Sequence, residues 1–444
     1  MMKYEKIKSM LLTILVIISI SLTWNIWTYQ PNYETIDNGY VYDAPISESR
    51  DISSLIKPYK VIFHLNDAHY GTVKERDIDG ILSEINKWGF YNFRNITNTL
   101  SERDFHRLMT ERSQVEIIFP TPIPLQTYKG VLNFEDRNLP KAHFDRIAIN
   151  SVGINENKTV VYFISLKDRT VFESNVSSST LANFKNRFMN KAHTYSKYMD
   201  YKVHDHYTIY LPEKAQTLTR NKSIPNSLDP EKFKDALFNN PYYVKRAVKA
   251  NGEEYTDSYS LMRVNYTNNM IFYVNPAQEI EAEKQTPSNE LIEKSIKFVN
   301  EHAGWSDKYR LFDVNPGDPI VSYRLFIEGY PVFNEEGMAE ILQFWGKEQI
   351  YKYVRPYFIL DTFLPTEDTE MELPPGSEVI KMVENQKGFN PSMLEDITIG
   401  YKLMHDPQTP KILVLEPAWF YKYNEKWLPV VTNEEMGGNQ NGMG

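Results

Sequence analysis

The chain of 444 residues contains no cysteine. Disulfides, thiolate zinc sites and cysteine nucleophiles are therefore excluded, and stability has to come from packing. Familiar catalytic signatures are missing as well: no Gly-x-Ser-x-Gly elbow, P-loop, Gly-x-Gly-x-x-Gly, His-Glu-x-x-His or EF-hand loop occurs. Lys and Arg are scattered among acids and aromatics without a basic stripe, and the formal net charge is −9. Such a body has no long-range attraction for nucleic acid, anionic lipid or wall phosphate. Apolar runs of membrane-spanning length are limited to one, at the N-terminus. With 24% charged residues, a polytopic transporter is ruled out. Aromatics are plentiful instead, and 30 Tyr with 23 Phe point to sheet-rich cores.

The single apolar run is Ser9–Trp27, SMLLTILVIISISLTWNIW. As a helix it rises roughly 28 Å, close to the ~30 Å hydrocarbon core. Lys3, Lys6 and Lys8 precede it against Glu5, whereas Glu34, Asp37 and Asp43 follow. That asymmetry places residues 1–8 in the cytoplasm and everything beyond the span outside the cell. Trp24, Trp27 and Tyr29 fall where an outer aromatic belt belongs. A cleaved signal peptide has a shorter core and a small-x-small site. This run ends in Trp-Asn-Ile-Trp-Thr-Tyr-Gln-Pro, so a retained single-pass anchor over 9–28 is predicted. Ser9, Thr13, Ser19, Ser21, Thr23 and Asn25 interrupt the run as three i,i+4 pairs, each on one helical face. Small hydroxyls permit close helix approach and Asn can bond across the contact, which makes this face a candidate partner-binding surface in the membrane. The competing account is that the hydroxyls bond their own i−4 carbonyls and face lipid.

The remainder alternates helices and strands in the manner of an α+β protein, with helices packed on antiparallel sheets. Residues 29–57 are polar and Pro/Gly-containing, and read as a juxtamembrane linker. Residues 58–214 read as an N-terminal α+β domain. In it Ile78, Ile81, Leu82 and Ile85 stripe one helix, Ser101 and Asp104 have capping-box spacing, and His204–Leu211 closes as a strand. The polar stretch Ala215–Pro225 reads as a junction. Residues 215–302 and 303–432 follow as central and C-terminal α+β domains. Helices opened by Asp229-Pro230, Thr286-Pro287 and Pro374-Pro375 each lead into antiparallel strands, a weak sign of duplicated units. Ile350–Phe363 reads as one long strand, and 433–444 as a disordered tail.

Two histidine pairs are candidates for chemistry. His204 and His206 on one strand would share a face and could chelate, but no third ligand is specified locally. His64 and His69 flank Asn66-Asp67 turn chemistry and read as turn packing. Adjacent glutamates such as Glu253-Glu254 point apart in regular structure and define no glycosidase pair. No cofactor is indicated.

Two segments carry a family resemblance. The start, Ile7-Lys8-Ser9 through LLTILVIISISLTWNIWTYQP, is one. The other runs from Leu311-Phe312-Asp313-Val314-Asn315 through Ser322-Tyr323-Arg324 to Phe326, and then through Gly329-Tyr330-Pro331-Val332-Phe333-Asn334 to Gly337. EPAWFYKYNEKWLPV near the end agrees. These resemble the YycH family, membrane-anchored regulators of the cell-wall sensor kinase WalK (YycG) in low-GC Gram-positive bacteria. The resemblance implies a three-domain ectodomain whose last two domains are related, no catalysis, and partners in the kinase's transmembrane helices and a YycI-like protein. It leaves homodimerisation open. On residues alone, a tethered ligand-binding module or wall hydrolase is the alternative.

Overall fold

The computed structural model describes residues 12, 14–24, 49–110, 114–150, 159–204, 207–279, 286–365 and 368–431. Two compact units are present, Met1–Val41 and Tyr42–Gly444. In the first, residues 14–24 are helical. No helix of the described residues is long and apolar enough to cross a membrane, and both ends of the expected 9–28 span lie outside them. The expected tail over 433–444 also lies outside the described residues.

The second unit is a mixed α+β body with two large sheets and few helices. The first sheet has ten strands: β1 Lys60–Leu65, β2 Ala68–Thr72, β3 Gly89–Asn95, β4 Gln114–Pro124, β5 Asn133–Phe134, β6 His143–Asn150, β7 Val160–Ser165, β8 Thr170–Asn175, β9 Ser196–His204 and β10 Tyr207–Pro212. Its order is β10-β9-β2-β1-β4-β6-β7-β8-β3-β5. One face carries Val61, Phe63, Val115, Ile117, Ile147 and Ile149. These share a core with Ile78, Ile81, Leu82 and Ile85 of the helix Glu75–Ile85 and with Leu181 and Phe184 of the helix Ser178–Arg187.

The second sheet, of fifteen strands, is built from β11 Gln216–Ser227, β12 Lys245–Lys249, β13 Gly252–Thr256, β14 Leu261–Asn265, β15 Met270–Val274, β16 Tyr309–Asn315, β17 Ile320–Ile327, β18 Tyr330–Phe333, β19 Glu340–Trp345, β20 Ile350–Pro356, β21 Phe358–Phe363, β22 Thr369–Leu373, β23 Leu394–His405, β24 Leu413–Tyr423 and β25 Lys426–Pro429. It continues across residue 302, because β15 pairs with β20, and it returns to its start where β11 pairs with β24.

Local signals operate as the chemistry requires. Asp229 caps the helix Pro230–Leu237 by accepting from the Glu231 amide at 3.0 Å. Ser101 Oγ accepts from the Asp104 amide at 3.2 Å and donates to its carboxylate at 2.6 Å, ahead of the helix Glu102–Thr110.

Four expectations are corrected. The stretch 215–225, read as a polar junction, is not irregular but forms most of β11, whose polar residues are held by pairing with β21, β22 and β24. The single strand expected over 204–211 is two, β9 and β10, paired as a hairpin. His204 therefore ends one strand, and His206 lies outside the described residues. The long strand over 350–363 breaks at Pro356-Tyr357. There the chain leaves β15 and β19 and joins β11, and proline's missing amide suits that hand-over. Residues 50–57, read as linker, pack into the body: Leu55 and Ile56 are buried, and Arg50 donates to the Asp307 carbonyl at 2.7 Å.

Candidate functional site

Strand parity sends alternate residues to opposite faces. On β1 and β4 one parity builds the helix-covered core, and the other, Lys60, Ile62, His64, Gln114, Glu116 and Ile118, faces the second half of the body. Ile62 opposes Glu116, and Ile118 opposes Arg146 on β6. Ile62, Ile118, Tyr198 and Tyr210 form one apolar cluster with Phe312, Phe326, Phe333 and Phe420 of the second sheet. The two sheets thus meet along a seam, and the polar residues of this face are trapped in it.

Arg146 Nη1 donates to Glu116 Oε1 at 2.6 Å, and both side chains are almost fully buried. Burial is the largest influence and works to raise the Glu116 pKa, but the charge and hydrogen bond of Arg146 together with those of His64 outweigh it and hold the carboxyl below its ordinary range. His64 Nε2 lies 3.7 Å from the other Glu116 oxygen, and its Nδ1 shares a 2.8 Å hydrogen bond with Nδ1 of His69. One of these rings must donate and the other accept.

Contacts cross the seam at both ends. Lys60 Nζ sits 3.8 Å from Asp396 of β23, the Tyr59 hydroxyl donates to the same carboxylate, and the Tyr207 hydroxyl donates to the Glu395 carbonyl. At the far side Glu75 pairs with both Lys308 and Arg310 at 3.0 Å. Gly329 closes the Ile327–Tyr330 hairpin at φ +94°, and a Cβ there would lie 2.1 Å from the Val73 carbonyl oxygen. The motif residues around it are structural too. Arg324 is sandwiched between Phe312 and Phe333, 4.4 and 4.5 Å from the ring centroids, and donates to the Val332 carbonyl at 3.0 Å.

A cleft of about 770 Å³ opens beside the seam, lined among others by Pro120, Asp145, Arg146, Tyr207, Asp396 and Trp427. Asp145 accepts from the Leu166 amide at 2.8 Å and lies 3.6 Å from Arg146 Nε. Burial pushes its carboxyl up to about 6, against the pull of Arg146. A carboxyl raised on folding is stabilising while protonated and costs stability as pH rises through that value. Asp145→Asn should accordingly leave thermal stability near pH 4 unchanged and raise it above pH 7. The gain should approach ~3 kcal/mol, at roughly 1.4 kcal/mol per unit. Melting curves at the two pH values check this, and equal shifts at both would contradict it.

Of the predicted membrane face, Ser19, Ser21 and Thr23 fall on the helix 14–24, whereas Ser9, Thr13 and Asn25 lie outside the described residues. Thr23 Oγ1 donates to the Ser19 carbonyl at 2.8 Å, so that hydroxyl is used within its own helix. Among the described residues no group of three or more His, Cys, Asp or Glu is placed to hold a metal ion. Sequence reasoning missed Lys60, Glu116, Arg146 and Asp396. The available signal was a charge inside an unbroken apolar run, as in KVIF, VEII and DRIAI, which marks a strand buried on both faces.

An α+β body of two sheets clamped by a buried ionic seam is what these residues build. The chain belongs to the YycH family: the model of the YycH protein N-terminal domain matches residues 5–193 and that of the C-terminal domain residues 206–435. It is 26% identical over 445 residues, 97% of each chain, to the Bacillus subtilis (strain 168) protein named "Two-component system WalR/WalK regulatory protein YycH". The crystal structure of YycH from Bacillus subtilis has the same fold, with a TM-score of 0.74 at 22% identity, covering 88% of this chain and 100% of that one.

Proposed function

We propose that this chain is a non-enzymatic regulator of a WalK-type (YycG) sensor histidine kinase. Residues 9–28 hold it in the cell membrane, with the N-terminus cytoplasmic and the folded body outside. The observation that carries this reading is the end-to-end likeness to a relative whose name states regulation of WalR/WalK. The apolar run with its flanking charges supports the topology. In this reading Ser9, Thr13, Ser19, Ser21, Thr23 and Asn25 contact the kinase's transmembrane helices and those of a YycI-like partner. The body comprises domains over 58–214, 215–302 and 303–432, the last two sharing the second sheet.

The mechanism is differential packing. A kinase that toggles between two helix arrangements is shifted by the difference in how well a third helix fits each, and by no more. About 1.4 kcal/mol changes the ratio tenfold. Within the body, Arg50 and Asn300 exchange hydrogen bonds at 3.0 and 3.1 Å, which fasten its first described residues to its second half. Replacing Thr13, Ser19, Ser21, Thr23 and Asn25 with Leu should change expression of a kinase-dependent reporter several-fold while the melting temperature of the body stays put. Unchanged output from correctly inserted protein would overturn the reading. The aromatic and doubly charged cleft favours a second, compatible role as a ligand-binding module.

A further inference from the structure

β12, Lys245-Arg246-Ala247-Val248-Lys249, is the terminal strand of the second sheet, and all five residues are exposed. Among the described residues its outer backbone edge has no partner strand, a template for strand addition. The most exposed large apolar side chains of the body gather around it: Tyr242 at 81%, Tyr243 at 76%, Val248 at 73% and Tyr259 at 66%. Tyr242 and Tyr243 lead into the strand. Tyr259 lies in the turn after β13, at the same end, since Lys245 pairs with Thr256. Exposed Tyr is costly to leave in water and offers large contact area at low entropy, which suits a protein interface.

Charge decides the occupant. Lys245, Ala247 and Lys249 share one face, and Arg246 and Val248 the other. Arg246 is already engaged by Glu253 at 2.5 Å, and Lys249 lies 3.3 Å from Glu254. Among the described residues Lys245 has no acidic partner. Pairing with a second copy about a two-fold axis at Ala247, the one register that pairs all five residues of the strand, would set Lys245 against Lys249 twice, and like charges directly opposite are destabilising. We infer that β12 is a docking edge for an extended segment of a different protein, one that adds antiparallel to the sheet. That segment carries acids four residues apart, opposite Lys245 and Lys249, and an apolar residue opposite Val248. This surface is independent of the membrane helix and of the regulatory reading built on it.

A labelled peptide, acetyl-Thr-Glu-Val-Thr-Val-Glu-Thr-amide, and its counterpart with both Glu replaced by Lys test the inference by fluorescence anisotropy against the full chain in detergent micelles. The acidic peptide should bind about tenfold more tightly than the basic one at low salt. Lys245→Glu with Lys249→Glu should reverse that order, and Val248→Lys should weaken both peptides without moving the melting temperature. Equal binding of the two peptides, binding of neither at millimolar concentration, or a dimer in solution that Val248→Lys dissociates would each overturn it.

Discussion

Glu116→Ala should destabilise the body by about 3–5 kcal/mol, the range for removing one partner of a buried ion pair. The carboxylate is inaccessible and the Arg146 side chain nearly so. Without Glu116 the guanidinium keeps, among the described residues, the looser Asp145 contact at 3.6 Å and the Tyr207 ring at 5.8 Å. His64 loses its carboxylate as well. The cost is that of a stranded charge, so a double replacement, Glu116→Leu with Arg146→Met, should recover most of it, since an apolar pair of similar volume avoids desolvating either ion. Urea titrations of the three proteins at pH 7 separate the cases; a double variant no more stable than Glu116→Ala would refute the pairing argument. The pH dependence has a definite sign. Glu116 titrates lower in the folded state, so its contribution is complete above the usual Glu range and drains as pH falls through the depressed value.

Gly329→Ala should be nearly as damaging, but in a different way. The residue sits at φ +94°, where an L side chain is strained by about 1–3 kcal/mol. The added carbon would meet the Val73 carbonyl oxygen and, at 2.9 Å, the Glu75 amide nitrogen, both backbone atoms that cannot rotate away. The neighbouring Glu75 bridge to Lys308 and Arg310 would be displaced with them. The expected result is a body whose two sheets separate at the seam while each keeps its own core. Hydrogen exchange should show protection lost first in β18 and around residues 73–75. Unaltered exchange there, with a full melting temperature, would show that the clash is absorbed locally.

The Gly329-Tyr330-Pro331 segment stands out in the sequence only as part of the family resemblance, whereas the close approach of Gly329 to Val73 and Glu75 joins parts of the chain far apart in sequence. The same division runs through the site. Helix stripes such as Ile78, Ile81, Leu82 and Ile85, and caps such as Asp229, are short-range devices, so periodicity and turn chemistry reveal them. β11 was misread because its polar residues are satisfied by three strands far away in sequence. The His204–Tyr207 reversal was missed because a strand period does not announce where it folds back.

Composition and pattern alone established an acidic, cysteine-free α+β chain with one apolar run, because each of those is a property of residue type or of spacing within a few turns. Only the tertiary structure decided that Lys60, Glu116, Arg146 and Asp396 meet in a seam between the two sheets. An alternating polar parity on a strand ordinarily means water. What converts it into a clamp is a second sheet laid over it, assembled from strands between residues 216 and 429.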